Sequence, residues 1–208
     1  MNTKRNLLII SAAAILFILE TELFPPRAAE DPMAGREARV AALRKERDLF
    51  FKEDSRSPLK ETDRKAFKGL IYFPFGLKYA MVGPIERYPL DPKPLYVTLP
   101  TNGETGKRYV KYGRFKFEWE KREYVLQIFR PLGGGEWFLP FKDRTSGVET
   151  YSKGRYLHIE PMPDGRVLVD FNRAYNPFCA FNEKYVCPFA PEENWLQIAI
   201  RAGEKRFR

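Results

Sequence analysis

The chain has 208 residues, and 36 Lys and Arg against 27 Asp and Glu give a formal net charge of +9. Hydrophobic residues at 44% and charged residues at 30% are the balance of a folded domain, not of a disordered chain. One His and two Cys exclude a His-rich or four-Cys zinc site, and no metal or cofactor is implied.

At the N-terminus Lys4 and Arg5 precede the apolar run Leu7 to Leu19. A basic start followed by a largely apolar run of 13 residues is the layout of a secretory signal. The run is short for a membrane span, which needs about 20 residues. Residues 1–24 therefore read as a cleaved signal or a retained anchor through 7–19, and residues 25–32, opening on Pro25-Pro26, as a linker. The expected location is outside the cytoplasm, periplasmic or secreted, with a membrane partner only if the segment stays attached. Nucleic acid is not expected in that compartment. Lys4 and Arg5 balance Glu20 and Glu22, so the remaining domain keeps its charge of +9, a surface suited to acidic partners.

Residues 33–208 read as one domain, mainly β, an antiparallel sandwich or barrel with one N-terminal amphipathic helix. The helix is expected over Met33 to Lys52, with Val40, Leu43, Phe50 and the stem of Arg47 at three- and four-residue steps. Asp54 to Lys65 is polar and reads as a loop. Leu70 to Phe73, Leu77 to Ile85 and Leu95 to Leu99 are short strand candidates, and Thr101 to Gly106 carries a turn signal. Phe115, Phe117 and Trp119 then alternate with Arg114, Lys116 and Glu118. A turn is expected around Lys121-Arg122, followed by Tyr124, Leu126 and Ile128 at period two. Gly133-Gly134-Gly135 breaks the chain before a strand from Trp137 to Phe141.

Pro163-Asp164-Gly165 fits a three-residue hairpin loop between strands at Arg155 to Met162 and Arg166 to Asn172. Opposing Met162 to Arg166 aligns Ile159 with Val169 and Leu157 with Phe171 on an apolar face. The polar face then pairs His158 with Asp170 and Tyr156 with Asn172. A two-residue loop mixes the faces and is rejected. In this register Asp170 orients His158 as a general base, or the four groups form a plain polar layer.

The segment from Asp143 onward is the most distinctive: Asp143-Arg144-Thr145-Ser146-Gly147, Thr150-Tyr151, Gly154-Arg155-Tyr156-Leu157, then Asp170 to Ala180, Cys187-Pro188 and Ala202-Gly203-Glu204-Lys205. This ordered pattern over residues 36–205 resembles domain of unknown function 1684, an uncharacterised bacterial and archaeal family. The resemblance implies no established activity.

Within that block Arg155, Tyr156, Asp170, Asn172, Tyr175 and Asn176 form the candidate ligand-binding set, with Tyr151, Tyr156 and Tyr175 as an aromatic wall. Arg155 offers bidentate contact to a carboxylate or phosphate. The competing reading has these groups satisfying one another beneath the loop from Arg173 to Asn194. Cys179 and Cys187, expected outside the cytoplasm, read as a disulfide pinning that loop. Three functions stay open: a module binding a small polar or acidic ligand, a hydrolase with Asp170, Asp143, Glu204 or His158 as acid and base, and a structural envelope protein.

Overall fold

The computed structural model describes residues 31–89 and 93–207. The expected export segment, and the linker up to residue 30, lie outside the described residues. Residues 31–34 make a turn closed by the Ala34 N–H to the Asp31 carbonyl at 3.0 Å. Gly35–Arg208 forms a separate compact unit.

That unit is mainly β. Its strands are β1 (Ala80–Arg87), β2 (Tyr96–Leu99), β3 (Lys107–Trp119), β4 (Arg122–Pro131), β5 (Trp137–Phe141), β6 (Arg155–Pro161) and β7 (Arg166–Asp170). Antiparallel pairing runs β1-β7-β6-β5-β4-β3 and returns from β3 to β1, closing a six-stranded barrel. Closure removes the exposed edges that a sandwich leaves. β2 is the extra strand. It lies along the first half of β3, while the second half of β3 pairs with β1. The change of partner sits beside a bulge between Lys111 and Gly113 in the β3–β4 ladder. A Cβ on Gly113 would stand 2.7 Å from the Glu86 carbonyl oxygen, so the crossing of β1 and β3 requires glycine there.

The barrel interior is filled from alternate positions: Phe115 and Phe117, Leu126 and Ile128, Leu139 and Phe141, Leu157 and Ile159, Val167 and Val169. Each such side chain contributes about 1.5–3 kcal/mol on burial. The β3–β4 ladder joins Trp119 to Arg122, so the turn residues are Glu120 and Lys121, both at positive φ. That places the turn one residue earlier than the sequence reading and matches a two-residue hairpin loop.

The Pro163–Gly165 hairpin has the expected register where the two strands pair, with Glu160 opposite Leu168 and Pro161 opposite Val167. The Met162 N–H donates to the Arg166 carbonyl at 2.9 Å. Further along the strands separate. β7 stops at Asp170, whose carboxylate accepts the Asn172 N–H at 2.9 Å and opens a 3-10 turn over Phe171–Arg173. Such local capping competes with the ladder and wins here. Tyr156 consequently pairs with Tyr175 rather than Asn172, and Asp170 lies opposite Ala80 of β1. The expected His158–Asp170 and Tyr156–Asn172 cross-strand pairs do not form, although Leu157 and Phe171 still share the core.

Outside the barrel the described residues form two α-helices, α1 (Arg36–Glu53) and the short α2 (Glu61–Ala66), the latter within the polar stretch Asp54 to Lys65 expected as a loop. The buried residues of α1 are Arg36, Val40 and Phe51. Phe51 joins Leu59, Phe67 and Phe181 in a satellite cluster, while Leu43, expected inside, is 40% exposed.

Candidate functional site

α1 turns an arginine stripe toward the C-terminal signature. Arg36, Val40, Arg44, Arg47 and Phe51 recur at helical spacing. Arg36 Nε donates to Asp170 Oδ2 at 2.6 Å. Arg44 donates to the carbonyls of Phe73 at 3.1 Å and Asn172 at 3.2 Å. Arg47 pairs with Glu204 and donates to the Asn176 carbonyl at 3.1 Å. This stripe is the feature that hydrophobic periodicity misses, because its contact face is made of guanidinium groups and their stems.

Beneath the stripe the signature residues hold one another. Asn172 spans Gly76, accepting its N–H and donating to its carbonyl, each at 3.0 Å, and donates to Asp170 Oδ1 at 2.8 Å. Asn176 donates its backbone N–H to Glu204 Oε2 at 2.8 Å and its amide to the Lys205 carbonyl at 2.7 Å. Arg155 is 1% exposed. It donates to the carbonyls of Ile200 at 2.8 Å, Glu204 at 3.3 Å and Ala202, and to Asp143 Oδ1 at 3.5 Å. Burial pushes its guanidinium below its ordinary value, and Asp143 opposes that. Asp143 also accepts the Ile200 N–H at 2.7 Å and the Thr145 hydroxyl at 2.9 Å. Thus Asp143, Arg155, Asp170, Asn172 and Asn176 are gathered by the fold with most of their polar atoms on protein partners; among the described residues Arg155 Nε and Asn176 Oδ1 have none, and Asn172 lines a groove beside α1.

Tyr156 and Tyr175 reach open space. Tyr175 lines two grooves, and His158 lines both with it. The ring of His158 stacks on Tyr175 at 5.5 Å, and the Tyr175 hydroxyl lies 2.6 Å from Nε2. Nδ1 faces Glu136 Oε2 at 3.3 Å without hydrogen-bond alignment. Tyr175, not Asp170, is therefore the partner of His158. Burial pushes the His158 imidazole below its ordinary value; Glu136 opposes this, and Arg173 and Arg47 add to it.

That shift predicts a pH dependence. The unfolded chain takes up a proton near pH 6.5, where the folded imidazole binds one less readily. The contribution of His158 to stability is full above that value and is lost as pH falls through the depressed folded value. Denaturant midpoints from pH 7.5 down to 5 should fall more in the native protein than in His158→Gln. Parallel curves would remove His158 as a source.

The first groove, about 330 Å³, runs between α1 and the Ala174-Tyr175 segment. Val40, Leu43 and Phe50 give it an apolar wall, and Arg44, Arg47, Arg173, Tyr72 and Glu204 its polar groups. Arg44 stacks over the Tyr72 ring at 4.6 Å and Arg47 over Tyr175 at 4.7 Å. Burial pushes Arg44 and Arg173 below their ordinary values, the charge of Arg36 adding to the effect on Arg173. Glu204 is pushed up by burial and held back by Arg47. Two buried atoms on this wall, Arg44 Nε and the Tyr72 hydroxyl, have no hydrogen-bond partner among the described residues. Neither residue was singled out from sequence; Arg44 was detectable from its helical spacing to Val40 and Arg47.

The second groove, about 340 Å³, is lined by Tyr109, Phe138, Tyr156, Phe178 and Tyr185 together with Lys107, Glu136 and Cys187. The Tyr156 hydroxyl donates to the Pro188 carbonyl. Tyr151 lines neither groove; its hydroxyl lies 3.7 Å from Cys179 Sγ. Cys179 and Cys187 are adjacent but hold free thiols, and the expected disulfide is not formed in this structure. Among the described residues no group of three or more His, Cys, Asp or Glu could hold a metal ion, and no helix is long and apolar enough to cross a membrane.

The model of a family of proteins of unknown function, DUF1684, matches residues 65–205. The chain is also similar to the solution NMR structure of an uncharacterized protein from Haloarcula marismortui, at 35% identity. That alignment covers 81% of this chain and 93% of the other, with a TM-score of 0.64. No curated protein matches.

Proposed function

The chain belongs to the DUF1684 family, and we propose that it is an exported β-barrel module that binds a small acidic ligand with an apolar body in the α1 groove. The observation that carries this reading is the pair of unpartnered buried groups, Arg44 Nε and the Tyr72 hydroxyl, on one wall of a cavity with apolar sides. Buried polar groups are normally paired. Of the three guanidinium groups, Arg47 is neutralised by Glu204 and Arg173 by Glu160. Arg44 has carbonyl partners but no ion pair among the described residues. An anionic oxygen beside Arg44 and Tyr72 would restore both bonds as charge-assisted ones. The export part rests on Lys4, Arg5 and the apolar run 7–19.

The signature carboxylates do not favour the hydrolase reading. Asp143, Asp170 and Glu204 each have both oxygens engaged by protein donors.

Benzoate and phenyl phosphate serve as probes, with binding followed by calorimetry. A charge-assisted bond contributes about 1.5–3 kcal/mol, so Arg44→Ala should weaken binding by about 10-fold or more. Tyr72→Phe, which keeps the ring and the fold, should weaken it less. Absence of binding to the native protein, or equal affinity in both variants, overturns the reading.

A further inference from the structure

The second groove has chemistry that ligand binding in the first does not use. Cys187 lines this groove, whereas Cys179 is not among its lining residues. The Cys179 N–H donates to Cys187 Sγ at 3.3 Å, and the Cys179 thiol hydrogen-bonds to the same sulfur. Lys107 lies on the same groove wall. One sulfur thus receives donors and a nearby positive charge, and its neighbour supplies the thiol proton.

We propose that Cys187 and Cys179 form a reversible dithiol site, with Cys187 the attacking sulfur and Cys179 the resolving one, and that the aromatic groove admits a small organic disulfide as co-reactant. The Cys187 thiolate attacks one sulfur of the disulfide RSSR. A Cys187–S–S–R bond forms and RS⁻ leaves. The Cys179 thiol then gives up its proton to RS⁻ and attacks the Cys187 sulfur, expelling the second RS⁻. The protein dithiol is oxidised to a Cys179–Cys187 disulfide, and RSSR is reduced to RSH and RS⁻.

Three features assign the order of attack. Cys187, 7% exposed, lines the groove, where Tyr109, Phe138, Tyr156 and Tyr185 can receive the R groups, whereas Cys179, though half-buried, does not line it. The Cys179 thiol bond, and then the Cys179 and Phe178 backbone N–H groups with Lys107, lower Cys187 to about 7 against the opposing effect of burial. Cys179 is pushed up by its bond to Cys187 and by burial, so it stays protonated until the first exchange removes that thiolate. A thiolate near neutral pH is the reactive form.

The test uses the full chain, reduced and desalted, with the aromatic disulfide 5,5′-dithiobis(2-nitrobenzoate). The native protein should release two thionitrobenzoate equivalents and retain none, its mass falling by two hydrogens. The rate should rise through a midpoint near pH 7 rather than near 9, the ordinary thiol value. Cys179→Ser should release one equivalent and keep the adduct on Cys187. Cys187→Ser should react at least 10-fold more slowly. Adducts retained on both cysteines of the native protein overturn the proposal, as does Cys187→Ser reacting as fast as native.

Discussion

Arg155→Met is expected to destabilise the protein by about 3–5 kcal/mol, the usual cost of breaking a buried ion pair from one side. Whole domains have only about 5–15 kcal/mol of stability. The guanidinium is the hub that ties the C-terminal coil to β6: its bonds to Ile200, Ala202 and Glu204 fix three carbonyls of that coil. Methionine matches the length of the stem but leaves those carbonyls without their donor and Asp143 without its counter-charge. Asp143→Asn should cost less, because Thr145 and the Ile200 N–H still have an acceptor there. The double variant should cost less than the sum of the singles, since it removes both charges together. Equilibrium denaturation by urea, followed by far-ultraviolet circular dichroism, measures all three. A loss below about 1 kcal/mol for Arg155→Met would show that the coil is held by its apolar contacts through Ile200 and Ala202 instead.

Arg155 also marks where sequence reasoning reached its limit. Its type suggested a ligand contact, and nothing in the chain order shows that Ile200, Ala202 and Glu204 return to surround it. The β3–β4 ladder was legible because Phe115 and Phe117 alternate with Arg114 and Lys116, the period a half-buried strand needs. The hairpin register was legible because only one loop length keeps Ile159 and Val169 on a single face. Its end was not, since a strand carrying Asp170 and Asn172 reads the same whether or not Asp170 turns back to cap the chain. The face of α1 was legible only in part: Val40 and the stem of Arg47 lie inside as expected, but Arg36 and Arg44 share that contact face while Leu43 is exposed. Long stems and buried ion partners invert the usual polarity rule, and the partners, Asp170 and Glu204, are more than a hundred residues away. The two cysteines were read as a disulfide; they do lie side by side, the Cys179 N–H donating to Cys187 Sγ, but as free thiols.

The barrel seam between β4 and β5 carries the second large expected effect. Those strands share one backbone pairing, Phe129 with Phe138. Counting from it sets Gln127 opposite Pro140, which has no N–H to give. The ladder cannot close there by itself. Asn194 supplies the missing groups from outside the barrel: its Oδ1 accepts the Gln127 N–H at 2.7 Å. Its Nδ2 donates to the carbonyls of Gln127 at 2.9 Å and Pro140 at 2.7 Å. The side chain acts as a substitute rung, and the Lys142 N–H to Asn194 carbonyl bond at 3.0 Å anchors the residue that presents it. Asn194→Ala strands these three buried backbone groups, each worth about 1–3 kcal/mol when unsatisfied. The expected loss is about 3–4 kcal/mol, because water entering the space left by the amide recovers part. Asn194→Asp should be at least as damaging, since it keeps the acceptor, removes both donors and buries a charge. Hydrogen exchange locates the effect: in Asn194→Ala the Gln127 amide should lose protection before the β3–β4 amides do. Exchange that accelerates uniformly around the barrel would mean the seam opens only with global unfolding, and that Asn194 contributes stability without serving as the local closure.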